Sequence, residues 1–152
     1  MAISTRTAAR VILLDPSSRV LLFEGRDLSD GDDIVRFWFT VGGGVEHDES
    51  LTDAAARELR EETGLTEMSI VGPFHRRVAN FLNHGERLHQ TEHFFAARVT
   101  ATSALKSEGW TELERVAMTR WRWWSQADLK STTVSYFPRN LPQLVTRASE
   151  LV

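Results

Sequence analysis

Glu58, Glu61 and Glu62 carry the strongest chemical signal in the chain. Their i, i+3, i+4 spacing places the three carboxylates within an arc of about 100° if the segment is helical. Ser50 followed by Asp53 is a capping-box-like start and Gly64 after Thr63 is a stop, which predicts a helix of about thirteen residues between them. A charge run is usually a solvated face, but the same projection argues otherwise here. Leu51, Ala54 and Ala55 fall within about 60° of Glu58, so the acidic arc continues the apolar stripe and is expected to face the protein. Like charges at this spacing repel, the more so when partly buried, and a divalent cation relieves them. Oxygen-only ligands suit hard ions that keep water in their shell, hence Mg²⁺ or Mn²⁺ in preference to Zn²⁺. Arg57 stands four residues before Glu61 and is placed to pair with a carboxylate and orient it. Gly42, Gly43 and Gly44 allow close backbone approach, so a carbonyl or N–H there can reach a metal or a phosphate.

The stretch from Gly43 to Leu65 resembles the Nudix box, G-x5-E-x7-R-E-U-x-E-E-x-G-U with U aliphatic. It matches at every specified position: Gly43, Glu49, Arg57, Glu58, Leu59, Glu61, Glu62, Gly64 and Leu65. A chance match per window is on the order of 10⁻¹⁰ at ordinary residue frequencies. The resemblance implies an α/β fold, an α/β/α sandwich with a mixed central sheet, and hydrolysis of a nucleoside diphosphate linked to another moiety. It implies water attack at phosphorus and divalent cations held by the box glutamates. Carried over by position, Glu58, Glu61 and Glu62 are the expected metal ligands, with the Gly43 carbonyl as a further candidate. Arg57 and Glu49 brace the loop and helix, and Arg57, Glu61 and Glu62 count among the catalytic residues. Many members recruit a further glutamate ahead of a late Trp-rich strand as general base. Here Glu112 and Glu114 precede Trp121, Arg122, Trp123 and Trp124, and Glu114 is the slightly favoured candidate. Two positions depart from the common pattern: Val41 stands where a Pro usually precedes the glycines, and Asp48 where a Gly often precedes the box glutamate.

The elements that must position these residues read as strands first. Ala8 to Leu14 and Arg19 to Phe23 flank Asp15-Pro16-Ser17-Ser18 and predict a hairpin; Asp27 to Asp33 is a polar loop, and Arg36 to Val41 a third strand. After the helix, Met68 to Val71, His75 to Leu82 and Leu88 to Thr100 read as strands, with Asn83-His84-Gly85-Glu86 as the turn between the last two. Thr102 to Thr119 is a polar connection. Trp121 to Trp124 is a last short strand, Ser125 caps a helical turn through Leu129, and Leu141 to Leu151 is a helix with Pro142 in its first turn.

Length and composition restrict the alternatives. The 152 residues, 41% hydrophobic and 26% charged, suit one globular domain with one core. A net charge of −3 supplies no field for a nucleic-acid polymer and leaves small phosphorylated ligands open. With no cysteine, disulfides, thiolate zinc sites and cysteine nucleophiles are excluded. The absence also argues against the related isomerases of prenyl diphosphates, which employ one. The longest apolar runs are far short of a membrane span or signal core, so the expected location is cytoplasmic. The glycine run lacks the Gly-Lys-Ser/Thr of a P-loop. His89 and His93, four residues apart on a strand, stand about 13 Å apart and cannot chelate together. Trp121, Trp123 and Trp124, like Phe37, Trp38 and Phe39, suit core packing or base stacking. Among the arginines, Arg26 and Arg36 are the first candidates for substrate phosphates, with Arg76 and Arg77 behind them.

The runner-up function is a Nudix-like domain that binds a nucleotide as a regulator without cleaving it. Such domains tend to lose box glutamates, and none is missing here. Residues that often mark subfamilies are absent. Val78 to Leu82 holds neither the Pro associated with ADP-ribose nor the Tyr associated with diadenosine polyphosphates, so substrate identity is open. Monomer and homodimer are both open as well.

Overall fold

A computed structural model describes residues 3–26, 36–83, 85–100 and 118–152. Asp27 to Asp33 and most of the connection after Thr100 lie outside them. β1 (Ser4–Leu14) and β2 (Val20–Arg26) form the expected hairpin, closed by Asp15, whose Oδ1 accepts the N–H groups of Ser17 and Arg19 at 2.9 Å each. β3 (Arg36–Gly44), α1 (Leu51–Thr63), β4 (Val71–Asn83), β5 (Glu86–Arg98) and β6 (Met118–Trp124) follow. The chain ends in α2 (Gln126–Ser131), β7 (Tyr136–Phe137) and α3 (Leu141–Leu151).

The strands run β4-β5-β1-β2-β3-β7, with β6 on β2. β1–β5 and β3–β7 pair parallel and the remaining pairs are antiparallel, so the sheet is mixed. β3 changes partner along its length: its first half, to Thr40, pairs with β2, and Val41 to Gly44 pair with β1. That crossing carries the glycines into the middle of the sheet. The sheet also curls, because Arg77 of β4 and Phe137 of β7, from opposite ends of the strand order, come within 5.8 Å.

Alternation along the strands divides the core in two. Ala9, Val11, Leu13, Leu21, Phe23, Val41, Phe95 and Trp123 pack against Ala54, Ala55 and Leu59 of α1. Ile12, Leu14, Val20, Leu22, Trp38, Phe94 and Trp124 pack against Leu129 of α2 and Leu141, Leu144, Val145 and Ala148 of α3. The result is the α/β/α sandwich with a mixed central sheet. Each fully buried Leu or Phe contributes about 1.5–3 kcal/mol relative to exposure.

Several boundaries differ from the sequence reading. β1 starts at Ser4 because polar residues there still pair with β5, from Ser4↔Leu88 onward. Met68–Ile70 is not a strand; Met68 and Ile70 pack on the α1 core, and β4 is one strand with a register shift between Val71 and His75. β7, two residues long, had no pattern to reveal it. Among the described residues, no helix is long and apolar enough to cross a membrane.

Candidate active site

The loop between β3 and α1 is organised by its own side chains. Ser50 Oγ accepts the Asp53 N–H at 3.0 Å and starts α1, and Gly64, at φ 78°, returns its N–H to the Arg60 carbonyl at 2.9 Å and stops it. Glu49 Oε1 accepts the Glu46 N–H at 3.0 Å and so turns back into the loop. Arg57 reaches from the helix to meet it: Nε donates to Glu49 Oε2 at 2.8 Å and Nη2 to Glu49 Oε1 at 2.9 Å, a bidentate pair. Nη2 also donates to the Gly44 carbonyl at 2.9 Å, which ties the end of β3 to the helix. Those bonds hold the Glu49 carboxyl down at about 2, led by the Arg57 hydrogen bond.

The acidic triad divides by burial. Glu58 is 7% exposed and Glu62 2%, whereas the Glu61 side chain is 38% exposed. The expectation that all three face inward is corrected for Glu61, which sits at the edge of the arc and reaches solvent. Glu62 accepts the Gly42 N–H at 3.3 Å, and its carboxyl group also meets that of Glu58. Burial raises the Glu58 pKa, against the opposing pull of Arg57. A Cβ on Gly43 would fall 2.5 Å from Glu58 Oε1, so only glycine lets this carboxylate lie against β3. Gly42, at φ 142°, takes a conformation that residues with a side chain rarely adopt, and a Cβ there would strike the Ala9 carbonyl. Arg57 Nη1 stands between Glu58 Oε1 at 3.0 Å and Glu61 Oε2 at 3.3 Å, an internal cation spanning two of the three carboxylates. Among the described residues no three acidic or histidine side chains converge on one point.

The family model of the NUDIX domain matches residues 4–144. The chain belongs to the Nudix family. Solved structures share the fold: a MutT protein from Methanosarcina mazei, 20% identical, covers 99% of this chain and 97% of its own at a TM-score of 0.64. The dihydroneopterin triphosphate pyrophosphohydrolase of E. coli is 19% identical, with 99% and 100% coverage and a TM-score of 0.67. An Ap4A hydrolase of C. elegans is 16% identical over 96% of each chain, with a TM-score of 0.57. No curated protein matches the chain significantly in sequence.

Both departures from the Nudix pattern have local explanations. Val41 is fully buried and pairs with Val11 as an ordinary strand residue. Asp48 takes φ 60°, the left-handed region in which aspartate is tolerated better than most residues, so the turn keeps its shape without glycine. Of the other sequence-predicted residues, Arg36 Nη1 lies 3.5 Å from Glu24 Oε1, a carboxylate that Arg120 also holds at 3.1 and 3.0 Å. The Arg26 side chain, Glu112 and Glu114 lie outside the described residues. His89 bonds Asn80 at 2.7 Å, apart from His93. Trp123 and Trp124 are core and Trp121 is 39% exposed.

One Nudix-site neighbour escaped the sequence reading. Arg10 Nη1 donates to the carbonyls of Thr40 at 3.3 Å and Gly42 at 3.1 Å, and Arg10 Nε to Glu92 at 2.9 Å. Arg77 and Gln90 also donate to Glu92, which is buried and whose pKa these arginines lower against its desolvation. The arginine inside the otherwise apolar strand segment Ala8–Leu14 was the available signal.

Proposed function

We propose that the chain is a divalent-cation-dependent hydrolase that cleaves the diphosphate bond of a nucleoside diphosphate linked to another moiety. The observation that carries this reading is the meeting of Glu58 and Glu62, two buried carboxyl groups, against the glycines of β3. Such a pair costs stability unless a proton or cation lies between its members. The donor set is all oxygen, from Glu58, Glu61, Glu62 and the Gly43 carbonyl, which fits Mg²⁺ or Mn²⁺. When bound, the ion neutralises phosphate oxygens and lowers the pKa of water. Arg57 fixes the orientation of Glu49 and Glu58 and ties α1 to Gly44, so the carboxylates enter the reaction already placed. Glu114, with Glu112 as second choice, takes the proton from the attacking water. Glu114→Gln or Glu112→Gln should lower turnover and flatten the acid limb of the rate profile with cation affinity unchanged; a wild-type profile in both variants assigns the base to Glu61.

A panel of nucleoside triphosphates, dinucleoside polyphosphates and nucleotide sugars, assayed for hydrolysis products with Mg²⁺ in the millimolar range or Mn²⁺ in roughly the micromolar range, tests the reading. Release of a nucleoside phosphate that stops on chelation supports hydrolysis. Binding of nucleotides without product would leave a regulatory domain instead.

A further inference from the structure

The face of the sheet turned away from α1 carries a charged group whose pairing is incomplete. Ala9 and Val11 of β1 pack toward α1, so Arg6 and Arg10 alternate onto the other face. There Glu92 serves both Arg10 and Arg77, one carboxylate for two guanidinium groups. Arg6 adds a further positive charge. Among the described residues none accepts a hydrogen bond from it, and its Nε is buried without an acceptor. Its partner across the parallel ladder is Gln90, 0% exposed, whose Oε1 is orphaned in the same way while its Nε2 is fixed on Glu92 at 3.0 Å. The two carboxylates whose charge Arg6 feels, Glu58 and Glu92, are engaged by Arg57 and by Arg10 and Arg77 respectively. A desolvated guanidinium beside another arginine, with no anion of its own, is stabilised by an incoming one.

Arg6 also lies at the box. A Cβ on Gly44 would sit 3.4 Å from Arg6 Nε and 3.5 Å from its Cζ, and the Gly44 carbonyl accepts from Arg57 at 2.9 Å. Gly44 therefore has the box arginine on its carbonyl and Arg6 over its Cα.

We propose that Arg6 is the substrate's phosphate-holding residue, its guanidinium fork taking anionic phosphate oxygens at the Gly44 end of the box loop. The proposal rests on the diphosphate reading above and adds the residue that anchors the anion. Gln90, Glu92, Arg10 and Arg77 form the braced floor beneath it, and the planar fork gives two parallel bonds to phosphate that a lysine cannot reproduce.

The test is calorimetric titration of wild type, Arg6→Ala and Arg6→Lys with inorganic pyrophosphate in chelator, together with KM and kcat on the best member of the substrate panel. Arg6→Ala should weaken pyrophosphate by roughly tenfold or more and raise KM more than it lowers kcat, and Arg6→Lys should recover part of the loss. Should the alanine variant not fold, Arg6→Gln carries the same expectation. Equal pyrophosphate affinity in wild type and variant, or no binding by either, overturns the proposal and leaves a water between Arg6 and Gln90. Weakened pyrophosphate binding in Arg6→Ala, in a protein whose wild type hydrolyses no panel member, upholds the anion site and removes the hydrolase reading. Normal hydrolysis with unchanged KM removes Arg6 alone.

Discussion

Arg10 and Glu62 hold the same residue of β3: the Gly42 carbonyl accepts from Arg10 Nη1 at 3.1 Å, and the Gly42 N–H donates to Glu62 at 3.3 Å. One group comes from the central strand and the other from α1, so the position of a box carboxylate depends on an arginine outside the box. Arg10 is itself held by Glu92. Arg10→Gln should destabilise the fold by about 2–4 kcal/mol, because it leaves Glu92 short of a buried partner. A double-mutant cycle with Glu92→Gln, followed by urea unfolding, should show coupling of about 1–3 kcal/mol; additive effects would mean that the two residues act separately.

Glu61 and Glu62 should separate when each is changed to Gln. Both substitutions remove a proposed ligand charge, so turnover should fall roughly a hundredfold or more in each. Stability should respond differently. Glu62 is buried against Glu58, so Glu62→Gln in metal-free buffer should raise the unfolding midpoint, whereas Glu61, half in solvent and paired with Arg57, should leave it nearly unchanged. Wild-type turnover in a folded Glu62→Gln protein contradicts the ligand assignment.

Glu49 sets an acid limit. Its folded pKa of about 2 lies below its ordinary 4.5, so the stability it contributes is complete above about 4.5 and is lost as the pH falls from there toward 2. Urea midpoints measured between neutral pH and about pH 3 should fall for the wild type in that window. In Glu49→Gln the midpoint should start lower and show a smaller drop over the same range.

Asp48 offers a gain. Its φ of 60° is a conformation glycine adopts without strain, and its side chain is exposed, so Asp48→Gly should be neutral or stabilising by up to about 1 kcal/mol. Asp48→Val should cost about 1 kcal/mol or more, since a β-branched residue resists the left-handed region. Thermal melts of the two variants check the sign of each change.

The box helix was legible because its signals are local. Ser50, Gly64 and the apolar positions between them specify start, stop and inward face without reference to the rest of the chain. The partners of that helix were less so. Arg10 and Glu92 are 82 residues apart and meet only through the parallel pairing of β1 with β5, which no local pattern encodes. Glu61 was misplaced for a related reason: the helical projection gives an angle, and whether that angle is covered depends on neighbours from other strands. β7, held by two pairs to β3, is too short for periodicity to register.

Mn²⁺ binding to the metal-free protein, followed by electron paramagnetic resonance in wild type and Glu62→Gln, tests the central claim without knowledge of the substrate. The account predicts saturable binding by the wild type and an affinity lower by roughly tenfold or more in the variant, with the fold intact. Equal affinities in the two proteins, or no saturable binding by the wild type, would contradict it.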